Sequence, residues 1–372
     1  MYASIIFCVL AVLLCLLDRN KPSRRFGGLE MAFITLMFFL SIRYGFGNDY
    51  EGYLNGFKEY TSYSFGLTEF ENWASLQDRG EYGFVILNKL FQPVGFFGFI
   101  IFLSFFSLYA LYRLIKTYVP TNWYWFAVFI LAFNPSFLII GIAGAIRQWI
   151  AVTIFIFTFE FIKKKKILFA ILAMIIASTI HKTALAIIPF CLIPLLGVNK
   201  FSKLKSIIII LFIVLWFIII PRIGYALFLP LFQSESMEYY TGYMAQDTGF
   251  SIFGISSLFV IGIPFLCFSL IKRMSYDMRL MCLIMLCSVF FIPMVSVNVM
   301  IGRLAWYFSI FSIIVYPNTM ELLLYKKQRA TVWITVSGLI VYYVYLFIRH
   351  FLDPIWYDTS YHFHTIFEQP WQ

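Results

Sequence analysis

Continuous apolar runs of about 16 to 22 residues recur along the whole chain and restrict its fold more than any other feature. A helix that crosses a bilayer needs about 20 mostly apolar residues. Only helices and closed barrels satisfy the polar backbone in lipid, and runs without alternation favour helices. Charged residues make up only 12% of the chain, about half the share in soluble domains. The sequence therefore predicts an all-α, polytopic integral membrane protein.

The apolar runs predict about twelve transmembrane helices in a single transmembrane domain of residues 1–372. The first run, from Met1 to Leu17, lacks the basic start and the small-residue cleavage site of a signal peptide, so we expect it to remain as the first span. The predicted spans are 2–17, 27–43, 94–112, 121–140, 145–162, 167–181, 183–198, 206–221, 250–271, 279–297, 303–324 and 331–348.

Basic and acidic residues divide unevenly between the two predicted membrane faces. The face that holds the 18–26 loop has 19 of the 28 lysines and arginines and five of the 18 acidic residues, a net charge of +14, whereas the other face has −4. An excess of lysine and arginine marks the cytoplasmic side, so both termini are predicted to lie outside. The overall charge of +10 is then a topology signal beside anionic lipid, and nucleic acid is not an expected partner.

The longer segments between spans all lie on the predicted outer face, at 44–93, 222–249 and 349–372. The predicted cytoplasmic loops are short and carry no phosphate-binding motif, which argues against a cytosolic nucleotide-binding domain. The six cysteines lie inside apolar runs without metal-ligand spacing. We therefore expect function at the outer face, with no metal and no cofactor.

The segment from Arg43 to Tyr53 is rich in polar and aromatic residues for so apolar a chain. Asp49, Tyr50 and Tyr53 fall in a short helix that is predicted to begin near Asn48, a residue type that often caps helices. Two interpretations stay open: an interfacial helix in an aromatic belt, or a sugar-binding surface in which rings stack on sugar faces and a carboxylate accepts hydrogen bonds from hydroxyl groups.

Three arginines and one histidine lie at predicted outer ends of spans: Arg43, Arg147, His181 and Arg303. Arg147 and Arg303 are near helix N-termini, where the helix dipole disfavours a cation by about 0.3–1 kcal/mol. A bound anion such as phosphate would offset that penalty, because helix N-termini and arginine both favour it. The arginines could instead reach lipid headgroups or pair with Asp49 or Glu51. The histidine could pack or cap a helix, or transfer a proton.

Three motifs in this order resemble the EpsG family of exopolysaccharide polymerisation proteins, which is close to the Wzy O-antigen polymerases. They are R-x-G-x-G-x-D-Y-x-x-Y at 43–53, Arg147-Gln148 with Ala151 and later His181 and Ala184, and Arg303 with Tyr307 ahead of Pro317. Together they cover roughly residues 40–320.

The resemblance implies a polymerase on the outer face of the bacterial cytoplasmic membrane, with the bundle of a lipid-linked glycosyltransferase. Its partners would be donor and acceptor glycans linked to undecaprenyl pyrophosphate, membrane lipid and a regulator of chain length. A growing glycan would pass from its lipid carrier to the next lipid-linked repeat unit, as in the synthesis of O-antigen or exopolysaccharide.

Each candidate site residue then has an expected role in a metal-independent transfer. Arg147 and Arg303 would bind the pyrophosphate with support from Arg43, and Asp49 and His181 are alternative general bases. Tyrosines and a glutamine would bind substrate: Tyr50, Tyr53, Gln148 and Tyr307. Three other functions stay open, namely a flippase for the same lipid-linked unit, a membrane O-acyltransferase and a glycan ligase.

Overall fold

The computed structural model describes residues 1–19, 26–62, 81–198, 207–216, 218–220, 256, 258–296 and 299–368. The predicted outer segment 222–249 lies outside these residues, as do 63–80 of the first outer segment and 369–372 of the third. The chain divides into two compact units. The first comprises Met1–Ile188 with Tyr343–Gln372, and the second comprises Pro189–Tyr342.

Helices make up almost all of the regular structure in the described residues, which confirms the prediction of an all-α protein. The first unit contains α1 (Tyr2–Cys15), α2 (Gly28–Ser41), α3 (Tyr50–Ser62), α4 (Tyr82–Leu90), α5 (Gly95–Tyr118), α6 (Tyr124–Phe133), α7 (Ile146–Lys163) and α8 (Ile167–Ile180). The second contains α9 (Ile263–Ser269), α10 (Tyr276–Phe291), α11 (Val299–Gly302), α12 (Ala305–Ser309) and α13 (Ser312–Tyr325), and α14 (Arg329–Leu352) runs from the second unit into the first.

The core of the first unit forms where α3 and α4 pack beside α5 and α7. Tyr50 and Phe57 of α3 are buried there with Phe84 of α4 and Phe96 of α5. The rings of Tyr50 and Phe57 meet Phe96 edge-on, with centroids 5.4 and 5.7 Å apart, and each such pair contributes about 0.5–1.5 kcal/mol beyond its buried area. The aromatic side chains of Tyr50 and Phe57 on this short helix therefore face protein rather than solvent.

A two-stranded antiparallel sheet joins the start of the polar segment to the C-terminal tail. Strand β1 (Arg43–Tyr44) pairs with β2 (His364–Thr365), with Arg43 opposite Thr365 and Tyr44 opposite His364. The Ile366 N–H extends the ladder by donating to the Ile42 carbonyl at 2.9 Å. Two of the predicted outer segments, far apart in sequence, thus lie side by side.

The predicted span 121–140 is not one straight helix. A helix over Thr121–Phe133 is followed by a π-helix over Leu138–Gly144, with a 65° bend between them. Pro135 lies at the break and has no N–H with which to continue the helix. The Ile140 N–H donates to the Pro135 carbonyl at 2.8 Å and begins the wider turns of the π-helix.

The predicted span 183–198 is a 3₁₀ helix, Lys182–Leu196, with Pro189 and Pro194 inside it.

In the second unit, α10 packs against α9, α12 and α13. Phe291 stacks on Phe308 at 5.4 Å between ring centroids. Aromatic stacking and close helix packing therefore hold this unit together.

Four helices are long and apolar enough to cross a membrane, among the residues that the structure describes: Gln92–Tyr118, Tyr276–Val295, Ala305–Tyr325 and Arg329–Leu352. The bent pair in residues 121–144 makes a fifth if it is one span. Other predicted spans fall on shorter apolar helices, such as Tyr2–Asp18 and Gly28–Ser41. The predicted count of twelve transmembrane helices and a glycosyltransferase-like bundle therefore remains a prediction.

Candidate functional site

The polar segment after β1 lies directly against the residues that lead into α7. Gly47 has φ +113°, and a Cβ built on it would lie 2.5 Å from the Ala143 carbonyl oxygen, so only glycine allows this approach. On its other side, the Gly47 N–H donates to the Thr359 carbonyl, and the Asn48 side chain accepts bonds from the hydroxyls of Thr359 and Ser360. The first two motifs of the sequence are therefore neighbours in space.

Arg43 is buried at the end of α2, with 1% of its surface exposed. Its Nη1 donates to the Leu40 carbonyl at 2.5 Å and to the Ser104 hydroxyl at 3.0 Å. The Tyr50 hydroxyl donates to the Arg43 carbonyl at 3.4 Å. These contacts fasten α2, α3 and α5 together. The hydrogen bonds of Arg43 indicate a structural role. Its predicted role in binding an anion stays a prediction.

A buried glutamate just before α4 gathers groups from two other helices. One carboxylate oxygen of Glu81, Oε2, accepts from Nη1 of Arg147 at 2.8 Å. The other, Oε1, lies 2.8 Å from Nδ1 of His181 and accepts from the Lys182 backbone N–H at 3.1 Å. The Glu81 side chain is only 2% exposed. Arg147 and His181 therefore both contact this carboxylate, although they come from different parts of one predicted motif. We term Glu81, Arg147 and His181 the Glu81 cluster.

The charge of the Glu81 cluster is balanced within it. Burial opposes ionisation of the Glu81 carboxyl, but the hydrogen bond from His181, the charge of Arg147 and the hydrogen bond from the Lys182 N–H outweigh that effect, so the pKa of Glu81 lies below its ordinary value. Glu81 also precedes the N-terminus of α4, and His181 follows the C-terminus of α8. Helix dipoles favour an acid and a cation at those respective ends.

Close contact between α4 and α8 sets the geometry of the Glu81 cluster. A Cβ on Gly83 would lie 2.2 Å from Oγ1 of Thr179, so the glycine lets the two helices approach. His181 itself is extended, with φ −152° and ψ 117°, and it ends α8. Its ring can therefore turn towards Glu81 at the start of α4.

Arg147 occupies the first turn of α7, as the sequence predicted. Its backbone N–H donates to the Tyr53 hydroxyl at 3.5 Å. Its guanidinium carbon lies 5.8 Å from the ring centre of Tyr53 and 5.7 Å from that of Phe84, within the range of cation–π attraction. The side chain is 22% exposed, and its Nε has no hydrogen-bond partner among the described residues. The cation is thus held by Glu81 and two rings while one donor stays unused.

Other predicted site residues lie in both units. Asp49 is exposed and, within the described part of the chain, pairs with no arginine. Gln148 is buried next to Arg147 in α7. In the second unit, the guanidinium of Arg303 lies 5.6 Å from the Trp306 ring at the start of α12, and Tyr307 is fully buried.

Sequence reasoning counted Glu81 among the outer acids but gave it no role. Its one local signal is its position immediately before an apolar helix, separated by a single residue from Gly83. Twelve other acids lie on the predicted outer face. Asp49 and Glu51 belong to the first motif, and the sequence gives no sign of a role for the remaining ten. In the described residues no group of three or more histidines, cysteines, aspartates or glutamates could hold a metal ion.

A family model of the EpsG family matches residues 30–361. The chain belongs to the EpsG family. The predicted resemblance is thereby confirmed, and the matched range includes the whole Glu81 cluster as well as Arg303. Membership of the EpsG family connects the chain in a general sense with exopolysaccharide polymerisation, and its apolar helices are those of a membrane protein. No curated protein and no solved structure matches the chain.

Proposed function

We propose that this EpsG-family protein is a glycan polymerase that joins repeat units linked to undecaprenyl pyrophosphate on the outer face of the bacterial cytoplasmic membrane. One observation carries the proposal: Arg147 and His181 meet on the buried carboxylate of Glu81. An anion-binding group and a proton-transfer group therefore lie within reach of one another, which is what a displacement of pyrophosphate by a sugar hydroxyl needs.

Arg147 is suited to the donor's pyrophosphate. A guanidinium carries five N–H donors; Nη1 of Arg147 uses one on Glu81, and the side chain is 22% exposed, so an anion can reach the guanidinium. The first turn of α7 adds backbone N–H groups and a favourable dipole for a phosphate. Arg303, near the start of α12 in the second unit, is also proposed to bind pyrophosphate. An arginine beside the leaving group would stabilise the negative charge that develops as the lipid pyrophosphate departs.

The acceptor hydroxyl must lose a proton, and a positioned general base contributes about 10²–10⁴-fold to such a step. Asp49 and His181 are the two candidates. Asp49 is exposed, whereas His181 is buried and oriented by Glu81. The geometry favours His181 as the base and Asp49, beside Tyr50 and Tyr53, as a ligand for sugar hydroxyls.

The proposal requires no metal ion, since arginines would neutralise the pyrophosphate in place of a divalent cation. The lipid carrier already activates the sugar, so no nucleotide-sugar domain is needed. Polymerisation by the purified protein in vesicles is therefore expected to proceed at an unchanged rate in EDTA. A rate that disappears in EDTA and returns with Mg²⁺ would overturn the metal-independent mechanism.

Deletion of the gene tests the proposed function against its alternatives. We expect the deletion strain to make surface glycan of one repeat unit and to accumulate single lipid-linked units on the outer face. Accumulation on the cytoplasmic face would instead indicate a flippase. Glycan of normal length without acyl groups would indicate an acyltransferase, and lipid-linked polymer that is never transferred to lipid A would indicate a ligase.

A further inference from the structure

Glu81 contacts its neighbours in a way that goes beyond neutralising an arginine. Its Oε1 receives two contacts, from the Lys182 N–H and from Nδ1 of His181, while Oε2 accepts a hydrogen bond from Arg147. The backbone bond to Lys182 fixes Oε1 independently of any side-chain rotamer. The carboxylate is therefore held in one orientation, with one oxygen assigned to the histidine.

An ionised carboxylate can accept hydrogen bonds but cannot donate them. The charge partners of Glu81 keep its pKa below the ordinary value, so it is ionised at neutral pH. Nδ1 of His181 must then carry a proton, and in the neutral ring the lone pair lies on Nε2. A carboxylate that holds one ring nitrogen of a histidine in this way fixes both its tautomer and its orientation.

We propose, on the basis of the polymerase function above, that Glu81 is a positioning residue that holds His181 as the Nδ1–H tautomer and so leaves Nε2 to take up the acceptor's proton. In that step the acceptor hydroxyl gives its proton to Nε2, and its oxygen forms the new bond to the anomeric carbon of the donor. The bond between that carbon and the pyrophosphate oxygen breaks, and its electron pair leaves with the pyrophosphate. Glu81 itself never touches the sugars.

If Glu81 were purely structural, its substitution would affect stability but not the rate of proton transfer. The chain contains a matched control for such a structural glutamate. Glu30 is also largely buried and pairs with Lys116 at 2.8 Å, with the Tyr112 hydroxyl at 2.7 Å as a further partner. Like Glu81 it accepts a backbone N–H, from Gly27 at 2.7 Å. Glu30→Gln therefore removes a comparable charge from a comparable network that contains no histidine.

The test is a double-mutant cycle on the full-length protein in vesicles, supplied with lipid-linked repeat units extracted from the deletion strain. The initial rate of ladder formation at saturating substrate is measured for wild type, Glu81→Gln, His181→Ala and the double variant. We expect each single variant to lose activity within the about 10²–10⁴-fold range of a general base. The double variant should be no slower than the slower single variant, because both changes remove the same proton transfer.

Glu81→Asp keeps the carboxylate and is expected to recover part of the rate that Glu81→Gln loses. Glu30→Gln should lower the unfolding temperature, leave the rate unchanged and combine additively with His181→Ala. Losses of Glu81→Gln and His181→Ala that multiply in the double variant would overturn the inference, as would a wild-type rate for Glu81→Gln. If Glu81→Gln does not fold, the same cycle is run with Glu81→Asp. A wild-type protein that makes no ladder would instead contradict the proposed function itself.

Discussion

Arg147 shows at the scale of a single residue how a cation is kept where helix electrostatics oppose it. The dipole of α7 disfavours positive charge in its first turn by about 0.3–1 kcal/mol. A hydrogen bond between charged groups contributes about 1.5–3 kcal/mol, so the 2.8 Å contact with Glu81 outweighs that penalty. The arginine is thus stable before any anion arrives, and the anion need only compete for its unused donors.

Substitution of Arg147 should separate charge from shape. Arg147→Ala is expected to lower the rate of ladder formation by about 10²–10³-fold, the loss typical for a group that stabilises charge in the transition state. Arg147→Lys should lose less, because it keeps the charge opposite Glu81 but not the planar set of donors. Arg349→Ala, which removes an exposed arginine from the same predicted face, is the control and should leave the rate unchanged. An unchanged rate for Arg147→Ala at equal protein levels would contradict its role.

Acid should weaken the Glu81 cluster in a defined pH window. The folded-state pKa of Glu81 lies below the ordinary value of 4.5, so its stabilising effect is complete above about pH 4.5 and is lost as pH falls through the lower, folded-state pKa. The difference in unfolding temperature between wild type and Glu81→Gln should therefore be large near pH 7 and shrink below pH 4.5. We would measure it by thermal unfolding in detergent.

The control for this titration is Glu368→Gln, which breaks an exposed pair with His364. Exposed pairs contribute little to stability, so this variant should match wild type at every pH. A difference between wild type and Glu81→Gln that stays constant down to pH 3 would contradict a folded-state pKa of Glu81 below the ordinary value, because stability depends on pH only where the pKa differs between the folded and unfolded states.

Sequence reasoning could predict Arg147 and His181 but not the carboxylate that joins them. A histidine or an arginine at the end of an apolar helix is rare enough to be noticed, because few polar groups occur there. Acids are common in the predicted outer segments, and the position of Glu81 just before an apolar run is too weak a signal to identify it. Only the contact of α4 with α8 identifies it, and that contact depends on packing between residues about 100 positions apart.

At the scale of an element, Gly47 lets the first motif lie against the turn before α7. Gly47→Ala is expected to destabilise the protein by more than the about 1–3 kcal/mol of a strained backbone, because the new methyl would also meet the Ala143 oxygen at 2.5 Å. Gly45→Ala is the matched control: its φ is +61°, with nothing within 4 Å of the added Cβ. Equal unfolding temperatures for the two variants would contradict this reading of the contact.

Helix types in two predicted spans could not be predicted from hydropathy alone. The runs at 121–140 and 183–198 are as apolar as the others, but Pro135 breaks the first, and Pro189 and Pro194 lie within a 3₁₀ helix in the second. A proline in an apolar helix can kink it, end it or change its hydrogen bonding, since neighbours in a bundle can satisfy the freed groups. Which outcome occurs depends on tertiary contacts.

At the scale of the whole molecule, predicted orientation can be tested by cysteine labelling. Five of the six native cysteines are buried and Cys287 is half-buried, so background labelling should be low. A maleimide that cannot cross membranes should label Glu51→Cys in intact spheroplasts. It should label Lys164→Cys only after permeabilisation, because the loop between α7 and α8 is predicted to be cytoplasmic. The reverse pattern would invert the proposed topology.

Hydropathy and charge were sufficient for the class of the molecule but not for its number of crossings. Four helices, or five with the bent pair, reach the length and apolarity of a span within the described residues. Helix α7 has 18 residues but is not among these candidate spans, because it contains three charged residues: Arg147, Glu160 and Lys163. Arg147 is a candidate site residue and Lys163 lies in the last turn of the helix, so polar side chains at the two helix ends lower the hydropathy.

The pairing of β1 with β2 imposes a parity rule on the membrane topology. Strands that share backbone hydrogen bonds must lie on the same side of the bilayer, so an even number of crossings separates Arg43 from Thr365. The predicted scheme places ten spans between them and satisfies the rule. If the bent segment at 121–144 enters and leaves by the same face, one other segment must gain or lose a crossing with it. Any change in the number of membrane crossings between β1 and β2 must therefore involve two segments at once.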